Sequence, residues 1–335
     1  MTAPPAPPGL ADIQAAAMAL AGLAVRTPLL PCPALSARLD ARVFVKAETL
    51  QRTGSFKVRG AYTLLARLPP AVRARGVVAH SSGNHAQGVA DAARHFGVPA
   101  AIVMPSDAPP PKIAGTRARG AEVILYDRAQ GDRLAIAEAL AAERGAVLVP
   151  PFDHPDIIAG QGTAGLEVVE DLDRLGLSPD IVLVPTSGGG LLAGTCLGLG
   201  ALVPEARIHP VEPEGYDDTA RSLAAGRRVR LGATPPSLCD ALLLPEPGAL
   251  TFPVNAARAA EGLVVSEESV RRALAHAERE LKLVVEPGGA VGLAALLAGR
   301  VAVSGRTVVV LLTGGNVAPA LLAEILRTQT DTEPS

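Results

Sequence analysis

Neither sign of charge is in surplus in this sequence. Its 335 residues contain 31 lysines and arginines against 33 aspartates and glutamates, which gives a formal net charge of −2. Electrostatic binding to nucleic acid or to an anionic membrane needs a basic surface, and the composition supplies no such excess. We therefore expect no nucleic-acid partner and no membrane partner, and a small molecule as the ligand.

Cysteine is scarce as well. The three cysteines, Cys32, Cys196 and Cys239, are far apart in sequence and form no CxxC pair. A disulfide framework or a zinc site needs more cysteines at closer spacing. We predict that all three are packing residues of a protein kept in a reducing compartment, the cytoplasm.

Long apolar runs are also missing. The run over residues 15–25 is far shorter than the roughly 20 residues of a membrane-spanning helix. No basic residue precedes it, as one would in a signal peptide. It predicts an amphipathic helix that ends at residues 26–29, because Pro28 disfavours helical geometry before it.

What the sequence does contain is a regular alternation. Hydrophobic residues make up 48% and charged residues 19%, which suffices for a large core in two lobes. Short β-branched runs alternate with stretches rich in alanine and leucine. This pattern predicts an α/β fold with parallel-rich sheets flanked by helices, and ligands at the carboxyl ends of the strands. The predicted strands are residues 77–79, 101–104, 123–125, 181–184, 208–211 and 307–312.

One lysine lies among small and apolar neighbours in residues 55–61. Lys57 follows Phe56 directly and precedes Arg59 by two positions. Desolvation or a nearby cation, which these two neighbours could supply, lowers the pKa of a lysine and makes its amine a nucleophile toward carbonyl carbons. The segment is therefore consistent with a Schiff-base lysine. A lysine at a helix start is more often a solvated cation, and the segment by itself leaves both interpretations open.

A polar loop follows the first predicted strand. It contains Ser81, Ser82, Gly83, Asn84 and His85 and precedes an alanine-rich helical stretch. Free N–H groups at the start of such a helix suit a carboxylate, and Ser82 and Asn84 add side-chain hydrogen bonds. The alternative is a helix cap by Ser81 or Ser82, with His85 on a solvated face.

Two more loops follow strands. Gly188, Gly189 and Gly190 are consecutive and precede a helix, so the backbone can approach a phosphate group. The loop matches neither GxxxxGK[ST] nor GxGxxG with a spaced acid, which favours a single phosphate over a nucleoside triphosphate or a dinucleotide. A tight structural turn is the alternative. Thr313 follows the last strand, where its hydroxyl can meet a ligand, although a simple turn would use the same residue type.

Together these motifs resemble the fold type II pyridoxal-phosphate enzymes (tryptophan synthase β-subunit-like), specifically the serine/threonine dehydratase and serine racemase family. The resemblance covers about residues 10–325 and includes further family-like segments at 46–51, 158–163 and 286–290. Several ordered motifs over most of the chain make this match specific.

The resemblance also implies how the chain is organised. Residues 1–76 and 146–335 would form a large cofactor-binding domain. Residues 77–145 would form a small mobile domain that closes the substrate loop onto the ligand. A homodimer is implied as well.

The resemblance assigns cofactor roles to individual residues. Lys57 would bind pyridoxal 5'-phosphate and later take the Cα proton of the substrate, and Phe56 would flank the ring. Asn84 would hydrogen-bond the ring 3-oxygen, and Thr313 would meet the ring nitrogen. The phosphate would be held by backbone N–H groups of Gly188, Gly189, Gly190 and Leu191.

The implied reaction follows from these roles. A hydroxyl such as that of Thr313 cannot keep the ring nitrogen protonated as a carboxylate can, which favours elimination over transamination. The implied activity is β-elimination from serine, threonine or another 3-hydroxy amino acid to a 2-oxo acid and ammonia. The loop at 81–85 would hold the substrate carboxylate, and Arg133 resembles a family arginine that approaches it. Ser82 matches a serine that acts on the opposite face of Cα in racemases.

Alternatives stay open on this scaffold. A serine or aspartate-type racemase and a 3-hydroxyaspartate dehydratase would share the same motifs, and Ser187, in place of a fourth consecutive glycine, points to a divergent subgroup. Enzymes of β- or γ-replacement carry different substrate loops. A non-enzymatic cofactor-binding protein would lack the lysine or the substrate loop, and both are present.

An acidic loop resembles the family's divalent-cation site. The carboxylates of Glu212 and Asp218 would act with the backbone carbonyl of Tyr216. Oxygen ligands of this kind suit Mg²⁺ or Ca²⁺. A solvated acidic loop without a metal is the alternative.

Overall fold

Two sheets organise the chain. The computed structural model describes residues 6–81, 83–108, 110–127 and 131–329. The predicted α/β fold is confirmed, and every predicted strand lies within an observed one. The strands are β1 (Leu29–Pro31), β2 (Arg42–Ala47), β3 (Val77–His80), β4 (Ala100–Pro105), β5 (Glu122–Tyr126), β6 (Val147–Leu148), β7 (Ile181–Pro185), β8 (Arg207–Pro213), β9 (Leu263–Val265) and β10 (Thr307–Leu312).

Helices connect and cover these strands. Short 3-10 turns lie at Glu48–Leu50, Arg52–Gly54 and Asp240–Leu242. The helices are α1 (Leu10–Leu20), α2 (Pro33–Leu39), α3 (Lys57–Arg67), α4 (Pro70–Arg73), α5 (Asn84–Phe96), α6 (Pro110–Ala118), α7 (Arg133–Arg144), α8 (Pro155–Asp173), α9 (Gly190–Leu202), α10 (Asp218–Ala225), α11 (Thr251–Arg258), α12 (Glu267–Leu281), α13 (Pro287–Leu297) and α14 (Pro319–Thr328).

The larger sheet has six strands in the order β1-β2-β10-β7-β8-β9. β1 is antiparallel to β2, and the other neighbouring strands are parallel. In the interior, Val310 of β10 lies opposite Val45 of β2 and Leu183 of β7. Every residue of β10 is buried, as expected of a strand covered on both faces, and such a strand appears in the sequence as a continuous apolar run.

The smaller sheet has four parallel strands in the order β5-β4-β3-β6. Its last strand, β6, lies just past residue 145, where the sequence places the lobe boundary, and the division into two lobes stays a prediction. The sequence does not reveal β1, β2, β6 and β9. Three of them have two or three residues, and β2 has only three consecutive apolar residues, between Arg42 and Lys46. These apolar runs are too short to identify as strands.

The N-terminal helix differs from its prediction. α1 covers Leu10–Leu20, not residues 15–25, and ends well before Pro28. Shortly after the helix, Gly22 adopts a φ of 75°. Glycine takes this conformation at little cost, so the turn directs the chain out of the helix before proline has any influence.

The prediction that the three cysteines are packing residues is confirmed by their burial. Cys32, Cys196 and Cys239 are 3%, 1% and 0% exposed and are free thiols. Burial raises the pKa of Cys32 to about 11, so its thiol stays protonated and unreactive.

Among the described residues, no helix combines the length and apolar content that crossing a membrane requires.

Two glycines bring α8 and α9 into close contact. A Cβ added to Gly194 would lie 2.5 Å from the backbone nitrogen of Gly162 and 2.6 Å from the carbonyl oxygen of Ile158. Backbones approach this closely only without side chains between them. Because α9 begins at the end of the glycine loop, this packing also fixes the position of the loop.

Gly194→Ala is expected to lower the free energy of unfolding by about 2 to 3 kcal/mol, because the opposing backbone atoms cannot move aside. Gly115→Ala in α6 is the matched control: its nearest neighbour is the flexible end of Arg119 at 3.5 Å. Alanine should be neutral or stabilising there by up to about 1 kcal/mol. Chemical denaturation measures both, and equal stability of the two variants would contradict the packing argument.

Candidate active site

A cavity of about 470 Å³ lies where the loops after β3, β7 and β10 meet the start of α3. Ser82 lies outside the described residues, and the predicted metal ligands Glu212, Tyr216 and Asp218 do not line the cavity. The other predicted site residues do line it: Phe56, Lys57, Ser81, Gly83, Asn84, His85, Arg133, Gly188, Gly189, Gly190, Leu191 and Thr313.

Lys57 is the first residue of α3, and its side chain lines the cavity. Nζ donates a hydrogen bond to the carbonyl oxygen of Pro151 at 2.8 Å and lies 5.1 Å from the ring centroid of Phe56. Burial lowers the pKa of Lys57 to about 8, against the opposing attraction of Glu286. Such a lysine offers far more neutral amine near neutral pH than a solvated one. The geometry therefore favours a nucleophilic lysine over a solvated cation.

Backbone hydrogen bonds join the lysine segment to the loop after β10. The N–H of Phe56 donates to the carbonyl oxygen of Thr313 at 3.1 Å, and the N–H of Gly315 donates to that of Gly54 at 2.9 Å. These bonds hold Lys57 and Thr313 at the same edge of the cavity, although most of the chain separates them in sequence.

The glycine loop is held from behind by α11. Thr251 Oγ1 donates to the carbonyl oxygen of Gly188 at 2.6 Å, and Asn255 Nδ2 donates to that of Gly189 at 3.3 Å. In a trans peptide the N–H points opposite to the carbonyl, so the N–H groups that follow point away from α11. A Cβ on Gly188 would lie 2.5 Å from the ring of Phe152, so a larger residue does not fit.

Asn84 is fixed by two partners at the start of α5. Its Nδ2 donates to Glu286 Oε1 at 2.5 Å, and its Oδ1 accepts from Asn316 Nδ2 at 2.7 Å. Burial raises the pKa of Glu286 to about 7. The role of Glu286 was missed in the sequence, where the segment 286–290 was the only signal for it.

Two histidines near the substrate loop are neutral at physiological pH. Burial and then Lys57 lower the pKa of His85 to about 3, and its Nε2 lies 2.9 Å from the carbonyl oxygen of Val149. His85 is 3% exposed, so the alternative that its side chain lies on a solvated helix face is wrong. Burial and then Arg133 lower the pKa of His80 to about 4. The cationic side chains that line the cavity are therefore lysines and an arginine, not histidines.

Comparison with known proteins identifies the family of this chain. The family model for the pyridoxal-phosphate dependent enzyme matches residues 20–314. This chain belongs to that family. It is 44% identical over 316 residues to the L-threo-3-hydroxyaspartate ammonia-lyase of Pseudomonas sp, covering 94% of this chain and 98% of that protein.

Solved structures of pyridoxal-phosphate enzymes share the fold. The T.th. threonine deaminase is 45% identical with a TM-score of 0.87, over 93% of this chain and 99% of that one. Maize serine racemase is 35% identical with a TM-score of 0.89, over 96% of this chain and 97% of that one. The predicted membership of the fold type II dehydratase and racemase group is confirmed.

The residues of the cavity fit pyridoxal phosphate. Ser187 Oγ, which lines the cavity beside the glycine loop, is buried without a hydrogen-bond partner in the described part of the chain. A buried hydroxyl is rarely left unsatisfied, and a phosphate oxygen would supply the missing partner. Thr313 lines the same cavity and is 5% exposed. The amine of Lys57 completes the set of groups that this cofactor needs.

Charged residues at the cavity edge were partly missed. Arg133, which the sequence does single out, is the first residue of α7 and is exposed. Lys112 of α6 and Asp240 also line the cavity, and Lys112 Nζ donates a hydrogen bond to Asp240 Oδ2. Neither residue belongs to a recognisable motif, so the sequence gives no signal for this pair.

The predicted metal ligands do not line the cavity. Glu212 accepts hydrogen bonds from the N–H groups of Thr219 and Ala220 at 2.9 and 2.8 Å. Both carboxylate oxygens of Asp218 are buried without partners among the described residues, and burial raises its pKa to about 7. No group of three or more His, Cys, Asp or Glu in the described ranges could hold a metal, so a site here would also need backbone oxygens such as that of Tyr216.

A buried ion cluster holds α3 from the side opposite the cavity. Arg59, 1% exposed, donates from Nε and Nη2 to Glu48 at 2.8 and 2.7 Å, and from Nη1 and Nη2 to Glu167 at 2.7 and 2.9 Å. Lys46 Nζ donates to the same Glu167 at 2.6 Å. The sequence suggested that the Arg59 cation lowers the pKa of Lys57. This is wrong, because Glu48 and Glu167 neutralise Arg59, and desolvation lowers the pKa of Lys57.

Arg59→Leu is expected to lower the free energy of unfolding by about 3 to 5 kcal/mol, because it leaves Glu48 buried without its cation. Arg207→Leu breaks an exposed pair with Glu261, whose side chains are 55% and 62% exposed, and is the control. That change should cost about 0 to 1 kcal/mol. Urea denaturation of both variants tests this, and similar losses would contradict a special role for the buried cluster.

Proposed function

We propose that this protein is an ammonia-lyase that converts a 3-hydroxy amino acid to a 2-oxo acid and ammonia by β-elimination. The observation that carries the proposal is the convergence, in one cavity, of Lys57, the glycine loop, Thr313 and the loop around Asn84. The names of the similar ammonia-lyase and threonine deaminase support it.

Pyridoxal phosphate, when bound, supplies an electron sink for the electron pair left at the substrate Cα. The residues that would hold it are the backbone N–H groups of the loop 188–191 and the hydroxyl of Ser187 at the phosphate. Asn84 would serve the ring oxygen, and the hydroxyl of Thr313 the ring nitrogen. A hydroxyl leaves that nitrogen largely unprotonated, which favours elimination over transamination.

The chain's own acid–base chemistry centres on Lys57. Its pKa of about 8 lets the neutral amine accept the Cα proton near neutral pH. The electron pair at Cα then expels the β-hydroxyl, which leaves as water after protonation, and hydrolysis releases the 2-oxo acid and ammonia. The neutral His85 lets the loop 81–85 receive a carboxylate through N–H groups without placing a further cation beside Lys57.

A racemase is the second candidate. The similarity to maize serine racemase over nearly the whole of both chains favours it. Racemisation needs a group that returns a proton to the opposite face of Cα, and Ser82 is the residue proposed for this. The two activities are separated by their products.

Lys57→Arg is expected to abolish turnover and the cofactor absorbance band, because a guanidinium cannot form the covalent link. Borohydride reduction followed by peptide mapping should place the cofactor on Lys57, one of four lysines in the sequence. Lys282→Arg, the same change at an exposed lysine, should keep both the band and turnover. Cofactor fixed to another lysine would contradict the assignment.

A substrate panel tests the reaction itself. The holoenzyme is incubated with L-threonine, L-serine, D-serine and the 3-hydroxyaspartate diastereomers, and 2-oxo acid and enantiomer composition are measured. We expect 2-oxo acid from at least one L-substrate. Inversion without 2-oxo acid would favour the racemase, and no product from any of them would refute both candidates.

We further propose that Glu212, Asp218 and the carbonyl of Tyr216 bind Mg²⁺ or Ca²⁺. The unpartnered oxygens of Asp218 support this, since a cation would satisfy them. Added Ca²⁺ or Mg²⁺ is expected to raise the Tm of the wild type but not of Asp218→Asn, and a chelator should reverse the shift. Asp217→Asn, a neighbouring change, is the control. An equal Tm with and without cation would discard the site.

We also propose a cytoplasmic homodimer with a small lobe, residues 77–145, that moves on ligand binding. The exposed apolar side chains of Val25, Leu50 and Val284 support an interface, being 43%, 50% and 49% exposed. The reduced, buried cysteines support a reducing compartment.

A further inference from the structure

The cavity contains an ion pair that the proposed reaction does not use. Among the described residues it is lined by the cations Lys57, Lys112 and Arg133 and by the acids Asp240 and Glu286. Lys57 handles the Cα proton, Glu286 is bound to Asn84, and Arg133 is proposed for the α-carboxylate. The pair of Lys112 and Asp240 has no part in this scheme.

Lys112 is held beside the substrate loop. A Cβ at Gly83 would lie 3.9 Å from Lys112 Nζ, so the ammonium is adjacent to the loop proposed to receive the substrate. Its partner Asp240 begins a 3-10 turn that packs against α13 on the other wall. The Lys112 side chain is 20% exposed and that of Asp240 is 50% exposed.

This difference in exposure allows an exchange of partners. An ammonium with little access to water needs a counter-ion, whereas a half-exposed carboxylate returns to solvent at small cost. A substrate carboxylate could therefore replace Asp240 while Lys112 stays paired. Serine and threonine have no second carboxylate to offer, so with them Lys112 remains with Asp240.

The rest of the nearby wall makes Lys112 the group that a second carboxylate requires. Leu242, Leu243 and Leu244 line the cavity next to Asp240 and offer only apolar side chains. A carboxylate on the substrate Cβ would be desolvated there without compensation unless a cation met it. Lys112 is adjacent to the substrate loop and is paired with Asp240 of this wall, whereas the other nearby cation, Arg133, is implied for the α-carboxylate.

We propose that Lys112 is a specificity-determining residue that receives the second carboxylate of a 3-hydroxy dicarboxylic amino acid, with Asp240 as its partner in the absence of that substrate. The inference rests on the proposed function, because it assigns a substrate class to the same site. The same pair could instead be a latch between the two walls, and the two roles differ in what loss of Asp240 does.

The test compares Lys112→Gln with Asp240→Asn in the holoenzyme. The readout is the ratio of kcat/KM for L-threo-3-hydroxyaspartate to that for L-threonine. Lys112→Gln is expected to lower this ratio about tenfold to a hundredfold, the effect of losing one hydrogen bond between charged groups. Lys112→Arg should restore most of it. Asp240→Asn should maintain or raise the ratio, because it removes a competing and repelling carboxylate.

A binding measurement without elimination supports the kinetics. L-Aspartate and L-alanine lack a β-hydroxyl, and their dissociation constants can be read from the absorbance of the bound cofactor. Lys112→Gln is expected to weaken the binding of L-aspartate by about tenfold or more relative to that of L-alanine.

The outcomes are distinct. Equal losses on both substrates, or equal falls of the ratio in Lys112→Gln and Asp240→Asn, would indicate a latch and overturn the inference. Turnover of L-threonine but not of 3-hydroxyaspartate by the wild type would also overturn it while the proposed ammonia-lyase stands. No turnover of any 3-hydroxy amino acid would refute the proposed function and the inference with it.

Discussion

The active site depends on the backbone pairing between residues 54–56 and 313–315. Ser55 and Gly314 form an antiparallel bridge, and hydrogen bonds on either side of it extend the contact. The second segment continues directly from β10, an interior strand buried on both faces. Lys57, the proposed cofactor-binding lysine, is thereby joined to a strand in the interior of the large sheet. A register shift of one residue would turn Phe56 and Thr313 to the wrong side.

Charge is buried on both sides of α3, but in two different ways. Behind the helix, Arg59 meets Glu48 and Glu167 with nearly all its donors, so the cluster is satisfied and its role is to hold the helix. On the cavity side, Lys57 has a lowered pKa and Glu286 a raised one. Folded proteins keep such incompletely compensated groups chiefly where a ligand completes them, and the cofactor proposed for this cavity would be that ligand.

Local signals made much of the site predictable. Strands buried on both faces appear as apolar runs, and consecutive glycines before a helix suggest an anion cradle, with a tight structural turn as the alternative. Contacts between distant segments were not predictable in this way. The partners of Arg59 include Glu167, 108 residues away, and no pattern near Arg59 indicates that carboxylate. The same holds for Lys112 and Asp240, at a separation of 128 residues.

By itself the sequence determined the α/β class, the glycine loop and the lysine, since these follow from periodicity and from residue types that few other structures need. The tertiary structure alone decided the electrostatics. It showed that desolvation, not Arg59, lowers the pKa of Lys57, that His85 is buried and neutral, and that the Lys112 ammonium lies beside Gly83. The reason is physical: a pKa depends on burial and on charges across the cavity, and both arise only when distant segments pack together.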